Sequence, residues 1–423
     1  MEEQKMKKVK TAIALLLAMC LLLSAVACTK SAPTVSNSPA PTSAGSSASA
    51  SNSASSSAPT LSPEQQWAED NGLNKTETVD ELYEAAKKEG EVVIYSISSR
   101  MEKVLPEFEA AYPGVKLVPY DISTDELLEK ITREYTAGIR TADIVHIKEQ
   151  TGQILKEYIE KGIFHNYQPE DIFNTIDDKY KYVTPLYFEM SWWFYNTEVN
   201  PNGCPVNSWW DLTKPEWKGK FLFTDPMENS GYMALLTTMV QNDDLMAEDY
   251  KKVFGKDIEL APDEPNAGYA FIKRFAQNNP IYESSSGGIV KNVGTPGQTT
   301  APVGYAASSK LREREDQGYV IDSDPVNFSP AIGIYGLNTL SIVNEAPHPN
   351  AAKLLIRFLM GEADGKGKGF EPFNTLGGWS ARSNVPLAEG NIPFNDIPLF
   401  ETDLEFVYEN IQDVRDYWLS VQP

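Results

Sequence analysis

Val92-Val93-Ile94-Tyr95-Ser96-Ile97-Ser98-Ser99-Arg100 opens the decisive stretch, and Met101 to Tyr112 completes it with apolar residues at three-and-four spacing. A continuous apolar run, a polar turn and an amphipathic helix in that order read as the start of a strand–helix–strand unit. The same grammar recurs outward from there. Apolar runs bounded by turn residues predict strands at Val115 to Val118, Ile144 to His146, Phe221 to Phe223, Ile332 to Ile334 and Leu340 to Val343. Three-and-four spacing predicts helices at Thr124 to Ala137, Thr151 to Lys161 and Ala351 to Met360. Strands alternating with helices predict an α/β fold around a parallel sheet covered on both faces. No internal repeat is visible.

In open sheets of this kind ligands sit beyond the carboxyl ends of strands, where helix N-termini present N–H groups and partial positive charge. The polar turn after the first strand therefore offers Ser98 and Ser99 as candidate caps and ligand donors, with Arg100 as a candidate cation. Asp225-Pro226-Met227-Glu228-Asn229-Ser230-Gly231 repeats the arrangement before the apolar stretch Tyr232 to Val240, which adds Asn229 and Ser230. Glu283-Ser284-Ser285-Ser286-Gly287-Gly288 is a third such turn and adds Ser285 and Ser286. Each turn alone is explained by ordinary helix capping. Together they suggest convergence on one acceptor-rich ligand. Glu149, just after a predicted strand, is either a receptor for a cationic group or a solvated loop carboxylate.

The N-terminus places Lys5, Lys7, Lys8 and Lys10 before an apolar run from Ala12 to Ala27, closed by Cys28. This reads as a secretory signal, being short for a spanning helix of about 20 residues. Leu23-Ser24-Ala25-Val26-Ala27-Cys28 resembles a bacterial lipobox, so residues 1–27 are the expected signal peptide and Cys28 the expected lipidated residue. Residues 28–61 are nearly all Ser, Ala, Pro, Thr and Asn, with nothing to bury, and are expected to form a flexible tether. The expected location is outside the cytoplasm, anchored to the cell membrane by the lipid. The chain beyond the tether is too long for one ordinary core and suits two lobes, at roughly 100–200 residues per domain.

Against 37 basic side chains stand 59 acidic ones, a formal charge of −22 that argues against a nucleic-acid partner. With Cys28 lipidated, Cys204 is the only cysteine of the mature body, so no internal disulfide is expected. His146, His165 and His348 have no zinc spacing, and neither metal nor cofactor is expected. Hydrolase chemistry is equally unsupported. Gly378-Trp379-Ser380-Ala381-Arg382 fails the last position of a nucleophile elbow, and Gly294 to Thr300 lacks the lysine of a phosphate loop. The chain is therefore not expected to be an enzyme; a secreted glycosidase using scattered carboxylates is the alternative of a different class.

Val92 to Ser96, Phe108-Glu109-Ala110-Ala111-Tyr112-Pro113-Gly114-Val115 and Ala142-Asp143-Ile144-Val145 resemble the first lobe of family 1 extracellular solute-binding proteins of bacterial ABC transporters. Trp193 to Thr197, Asn207 to Leu212, Pro215 to Lys220 and Glu345 to Ala352 extend the resemblance across the chain after residue 75. It points to the cluster serving ferric iron, thiamine, polyamines and phosphorylated organic compounds. The resemblance implies a two-lobed, type II periplasmic-binding-protein-like fold, with ligand gripped between lobes joined by crossing strands. The expected lobes are 75–186 plus 333–370 and 187–332 plus 371–423, with a first crossing near Tyr187 to Asn196 and a return near Ser329 to Tyr335.

Iron-binding members use an adjacent tyrosine pair, and the matching place here, Pro302-Val303-Gly304-Tyr305-Ala306-Ala307-Ser308, has only Tyr305. That departure weighs against iron and leaves Tyr305 as a cleft hydroxyl or a packed ring. Trp192 and Trp193 adjoin the crossing strand, and because neighbours face opposite sides only one is expected to face the cleft. The Trp209 to Lys220 motif reads as structural. The expected ligand is a small anionic organic molecule, with ferric iron, polyamine and thiamine as alternatives. The expected partners are that ligand, an ABC permease and the membrane, for a monomer that delivers the ligand to an importer; service to a membrane sensor would leave the same sequence.

Overall fold

The computed structural model describes residues 61–423. The signal peptide, Cys28 and the tether to residue 60 lie outside the described residues. Two helices precede the first strand, each with a clear start signal in its sequence. Pro63–Asp70 is set by a capping box between Ser62 and Gln65 and buries only Ala68. Val79–Glu89 is set by a second box between Thr78 and Glu81 and ends on Gly90 at φ 82°, a left-handed cap that suits glycine.

β1 (Glu91–Ser96) pairs in parallel with β2 (Lys116–Asp121) and with β3 (Ile144–Glu149). Helices Met101–Ala111 and Thr124–Thr136 make the two crossovers. The first buries Met101, Val104 and Phe108, the one-face spacing that its sequence displays. Asp143 ties this unit together from within. Its carboxylate accepts from the Val93 N–H at 2.7 Å and from the His348 N–H at 2.7 Å, which fixes the helix Pro349–Leu359 against β1.

After the two-residue β4 (Phe164–His165), the thirteen-residue β5 (Thr184–Asn196) leaves this unit for the other half of the molecule. β6 (Phe221–Phe223) lies between β7 (Ile281–Tyr282) and β8 (Val303–Ala307), parallel to both. β8 and β9 (Ile321–Ser323) run antiparallel to β5 from Ser191 to Asn196. β10 (Tyr335–Val343) returns to lie antiparallel between β3 and β5, and β11 (Gly378–Ser380) adds to β5 near Glu189. The sheet is thus mixed, where the sequence predicts a parallel one. Parallel pairing is confined to β2-β1-β3 and β7-β6-β8, and the strands that carry the chain between the halves run antiparallel to their neighbours.

Helix Ser230–Gln241 is buried on nearly every side and forms the centre of the second half. The C-terminal helix Leu404–Ser420 packs against it and against Ala267–Gln277. The tryptophan motif is structural, as its sequence suggests: Trp209 donates to the Ala331 carbonyl at 2.9 Å and Trp210 to the Met246 carbonyl at 2.8 Å. Two predicted elements differ. Residues 332–334 are not strand, since only the Gly333–Leu399 bridge engages them before β10 begins. The helix expected over 151–161 is a six-residue π-helix, Ile154–Ile159. Glu149 is the cause, because its buried carboxylate accepts the N–H groups of Thr151, Gly152 and Leu155 and so starts the turn from a side chain. It is neither solvated nor free for a ligand.

Candidate functional site

The floor of the candidate site lies where β5 changes partners, from Met190 opposite Tyr335 on β10 to Ser191 opposite Ala307 on β8. Glu189 stands there, a carboxylate inside an otherwise apolar strand. Lys148 Nζ lies 2.9 Å from one of its oxygens and Arg100 Nη2 3.3 Å from the other. Burial alone would raise the Glu189 carboxyl, but Lys148, Arg100 and the Ser309 hydroxyl outweigh it and hold the group down at about 2. Arg100 also lies 5.7 Å from the ring centroids of both Tyr187 and Phe373, which stack on each other, and its Nη1 is buried with no protein partner. Two cations therefore face one anion, and the floor carries a surplus positive charge in a largely desolvated place.

Above the floor opens a cleft of about 260 Å³, lined from both halves. Its walls are helix starts. Ser123 and Thr124 come from the N-terminus of Thr124–Thr136, Asn229 and Ser230 from that of Ser230–Gln241, and Ser286 from that of Ser286–Gly294. Asn229 Oδ1 accepts from the N–H groups of Gly231 and Tyr232, at 3.0 and 3.3 Å, which orients the first turn towards the opening. Ser285 Oγ does the same for Gly288 at 3.1 Å. The cleft is small for a drug-sized molecule and suits a compact metabolite.

The structure gathers Asn229, Ser230, Ser286 and Tyr305 around this cleft. Ser285 sits one residue behind as a cap. Tyr305 is buried, donates its hydroxyl to the Ile332 carbonyl at 3.3 Å, and has its phenol pushed well above the ordinary range by burial. In the first turn Ile97 lines the cleft, whereas Ser98 Oγ accepts from the Arg100 N–H at 3.4 Å and Ser99 faces solvent. Arg100 reaches the site through Glu189. Neither indole faces the cleft: Trp192 and Trp193 are each 1 % exposed. Trp193 packs among Trp209, Phe223 and Tyr305, and Trp192 lies against Trp379, because apolar elements cover both faces of β5 at this point. The cleft position is held by Ser191 instead.

Lys148, Gln150 and Glu189 line the cleft and escape the sequence reading. Glu189 had a legible signal, since a lone carboxylate in Thr184–Asn196 contradicts its apolar surroundings unless it is paired. Lys148 had less of one: β3 runs to Glu149, three residues beyond the apolar core that marks it. His146, just beneath, is fully buried and bonded to Ser96 Oγ at 2.9 Å. Burial, with Arg100 nearby, pulls it down to about 3, so it is neutral. Among the described residues no cluster of three or more His, Cys, Asp or Glu side chains is arranged for a metal ion.

A cleft between two α/β halves joined by crossing strands, with a charged floor and helix starts for walls, defines the solute-binding class of protein. Residues 94–366 match the family described as bacterial extracellular solute-binding protein, and the chain belongs to it. No curated protein matches the chain. Among solved structures it is similar to the periplasmic binding protein P5PA, at 17% identity and a TM-score of 0.59 over 79% of this chain and 100% of that one. AfuA from Actinobacillus pleuropneumoniae, with fructose-6-phosphate bound, is 19% identical with a TM-score of 0.60 over 78% and 98%. Iron-bound HitA from Pseudomonas aeruginosa is 13% identical with a TM-score of 0.57 over 78% and 99%. These likenesses establish the two-lobed periplasmic-binding-protein fold.

Proposed function

We propose that the chain captures a small anionic organic molecule outside the cytoplasm and delivers it to the permease of an ABC importer. The observation that carries this reading is the floor triad, in which Glu189 balances only one of Lys148 and Arg100. A buried surplus charge is costly without a counter-charge, and a ligand anion supplies one. The helix starts that line the walls add N–H donors and partial positive charge. A phosphorylated, phosphonylated or carboxylated metabolite fits both features, and the sugar phosphate in AfuA is an example of the class. Ferric iron fits less well, because phenolate ligation needs a deprotonated hydroxyl and Tyr305 is held neutral with its hydroxyl committed.

A second reading rests on Asp125 and Glu228, carboxylates that also line the cleft. They favour a ligand bearing an amine, a polyamine at the extreme. On either reading the lobes are 75–186 plus 333–370 and 187–332 plus 371–423, closing over the ligand, and a lipid on Cys28 with the tether to residue 61 keeps the domain near the membrane. A thermal-shift screen of residues 62–423 separates the two. It would use phosphonates, sugar phosphates, dicarboxylates, ferric citrate, polyamines and thiamine. At a hundredfold excess over Kd, binding raises native stability by about 2.7 kcal/mol. Stabilisation by one anionic class is expected; stabilisation by polyamines alone would replace the first reading with the second.

A further inference from the structure

On one flank of the cleft the C-terminal helix Leu404–Ser420 meets the segment after β3. Gly152 is the point of closest approach. It is buried at φ 76°, and a Cβ there would lie 2.5 Å from the Leu404 carbonyl oxygen and 3.1 Å from Tyr408 Cβ. Only glycine satisfies both the left-handed backbone and the available space. Around this contact the Tyr408 hydroxyl donates to Glu157, and Lys156 Nζ lies 3.5 Å from Glu405 Oε1. Nearer the cleft, Ser230 donates its hydroxyl to Asp125 at 2.8 Å.

The helix is tied firmly to the second half. Asn242 donates to the Glu401 carbonyl at 2.8 Å, Gln241 accepts from the Asp403 N–H at 3.1 Å, and Val407, Val414 and Trp418 are buried. Residues 151–161 belong instead with β3, through Glu149. The contact across Gly152 is of a different kind. Its polar partners are exposed or half-exposed, and a cavity of about 530 Å³ remains between Tyr158 on one side and Tyr408 and Ile411 on the other. Contacts among such side chains are of the kind that open locally, at low cost to the packed cores on either side. The partners across Gly152 include none of Lys148, Arg100 and Glu189, so the seam does not draw on the floor of the cleft.

From this we infer that the C-terminal helix is a clasp, which holds the two lobes together by docking on Gly152 and Glu157 and so sets the balance between closed and open protein before any solute binds. The inference rests on the two-lobed arrangement and is independent of the ligand's charge. It is tested on residues 62–423 without ligand, by spin-label distance measurement between Glu102 and Lys256, both exposed and in opposite halves. Wild-type protein is expected to give a dominant short-distance population. The double variant Tyr408→Ala/Glu405→Ala, which removes two surface side chains, is expected to shift it to longer distances. Gly152→Ala is expected to do the same while circular dichroism stays native; should it fail to fold, the double variant decides alone. Identical distance distributions in wild type and the double variant would overturn the clasp. A failed anion screen with an intact shift in distance would overturn only the ligand assignment.

Discussion

Glu189 decides more at this site than any residue that faces the solvent. Its carboxyl is held at about 2, below the ordinary 4.5, so its contribution to stability is fully present above pH 4.5 and is lost as pH falls from there towards 2. A displacement of that size corresponds to on the order of 3 kcal/mol. Acid unfolding followed by fluorescence should therefore be steeper between pH 4.5 and 2 in wild type than in Glu189→Gln. The variant should also be less stable at pH 7 by about 3–5 kcal/mol, because it leaves two buried cations without an anion. A variant as stable as wild type at neutral pH would show that the triad is not desolvated as described. Lys148→Gln is the informative contrast, since it leaves Arg100 and Glu189 as a balanced pair and should keep the fold.

Elements were legible where burial is continuous and obscure where a side chain replaces periodicity. The apolar runs of β1, β3 and β6 fall within the observed strands because residues covered on both faces leave a dense signal. The two- and three-residue strands β4, β7, β9 and β11 carry none, because unlike the all-apolar, fully buried β6 each is mixed in composition or part-exposed. Helix Pro63–Asp70 depends on a capping box and buries only Ala68, so a search for apolar spacing passes over it. Val79–Glu89 pairs its capping box with apolar residues at Val79, Leu82, Tyr83 and Ala86, and the helix predicted over 151–161 is shortened to a π-helix whose start Glu149 sets. Thr78→Ala should cost about 1 kcal/mol in urea unfolding, the ordinary value of an N-cap. Asn229→Ala should cost a similar amount and, unlike Thr78→Ala, should weaken ligand binding, because its side chain orients a helix start that lines the cleft. Equal effects of the two on binding would remove that helix from the site. Trp192 and Trp193 show the opposite failure: alternation along a strand assigns one indole to the open side only if one side is open, and β5 is covered on both.

At the scale of the whole molecule, a formal charge of −22 is compatible with an anion-binding cleft because the decisive field is local. Two cations sit within 3.3 Å of one buried carboxylate at the floor, and helix starts line the walls, whereas the other carboxylates of the cleft, Asp125 and Glu228, belong to those walls and not to the floor. The two-lobed plan and the family were legible from motifs in order along the chain. The floor was not, because it is assembled from residues 100, 148 and 189 on three separate segments, which adjoin only after β5 crosses between the halves. The most direct test is calorimetric titration of the anion that stabilises residues 62–423 best, into wild type and into Lys148→Gln. A bond to a charged group is worth about 1.5–3 kcal/mol, so affinity at least roughly tenfold weaker is predicted for Lys148→Gln, with the melting temperature retained. Undiminished affinity in Lys148→Gln would contradict the anion-binding floor.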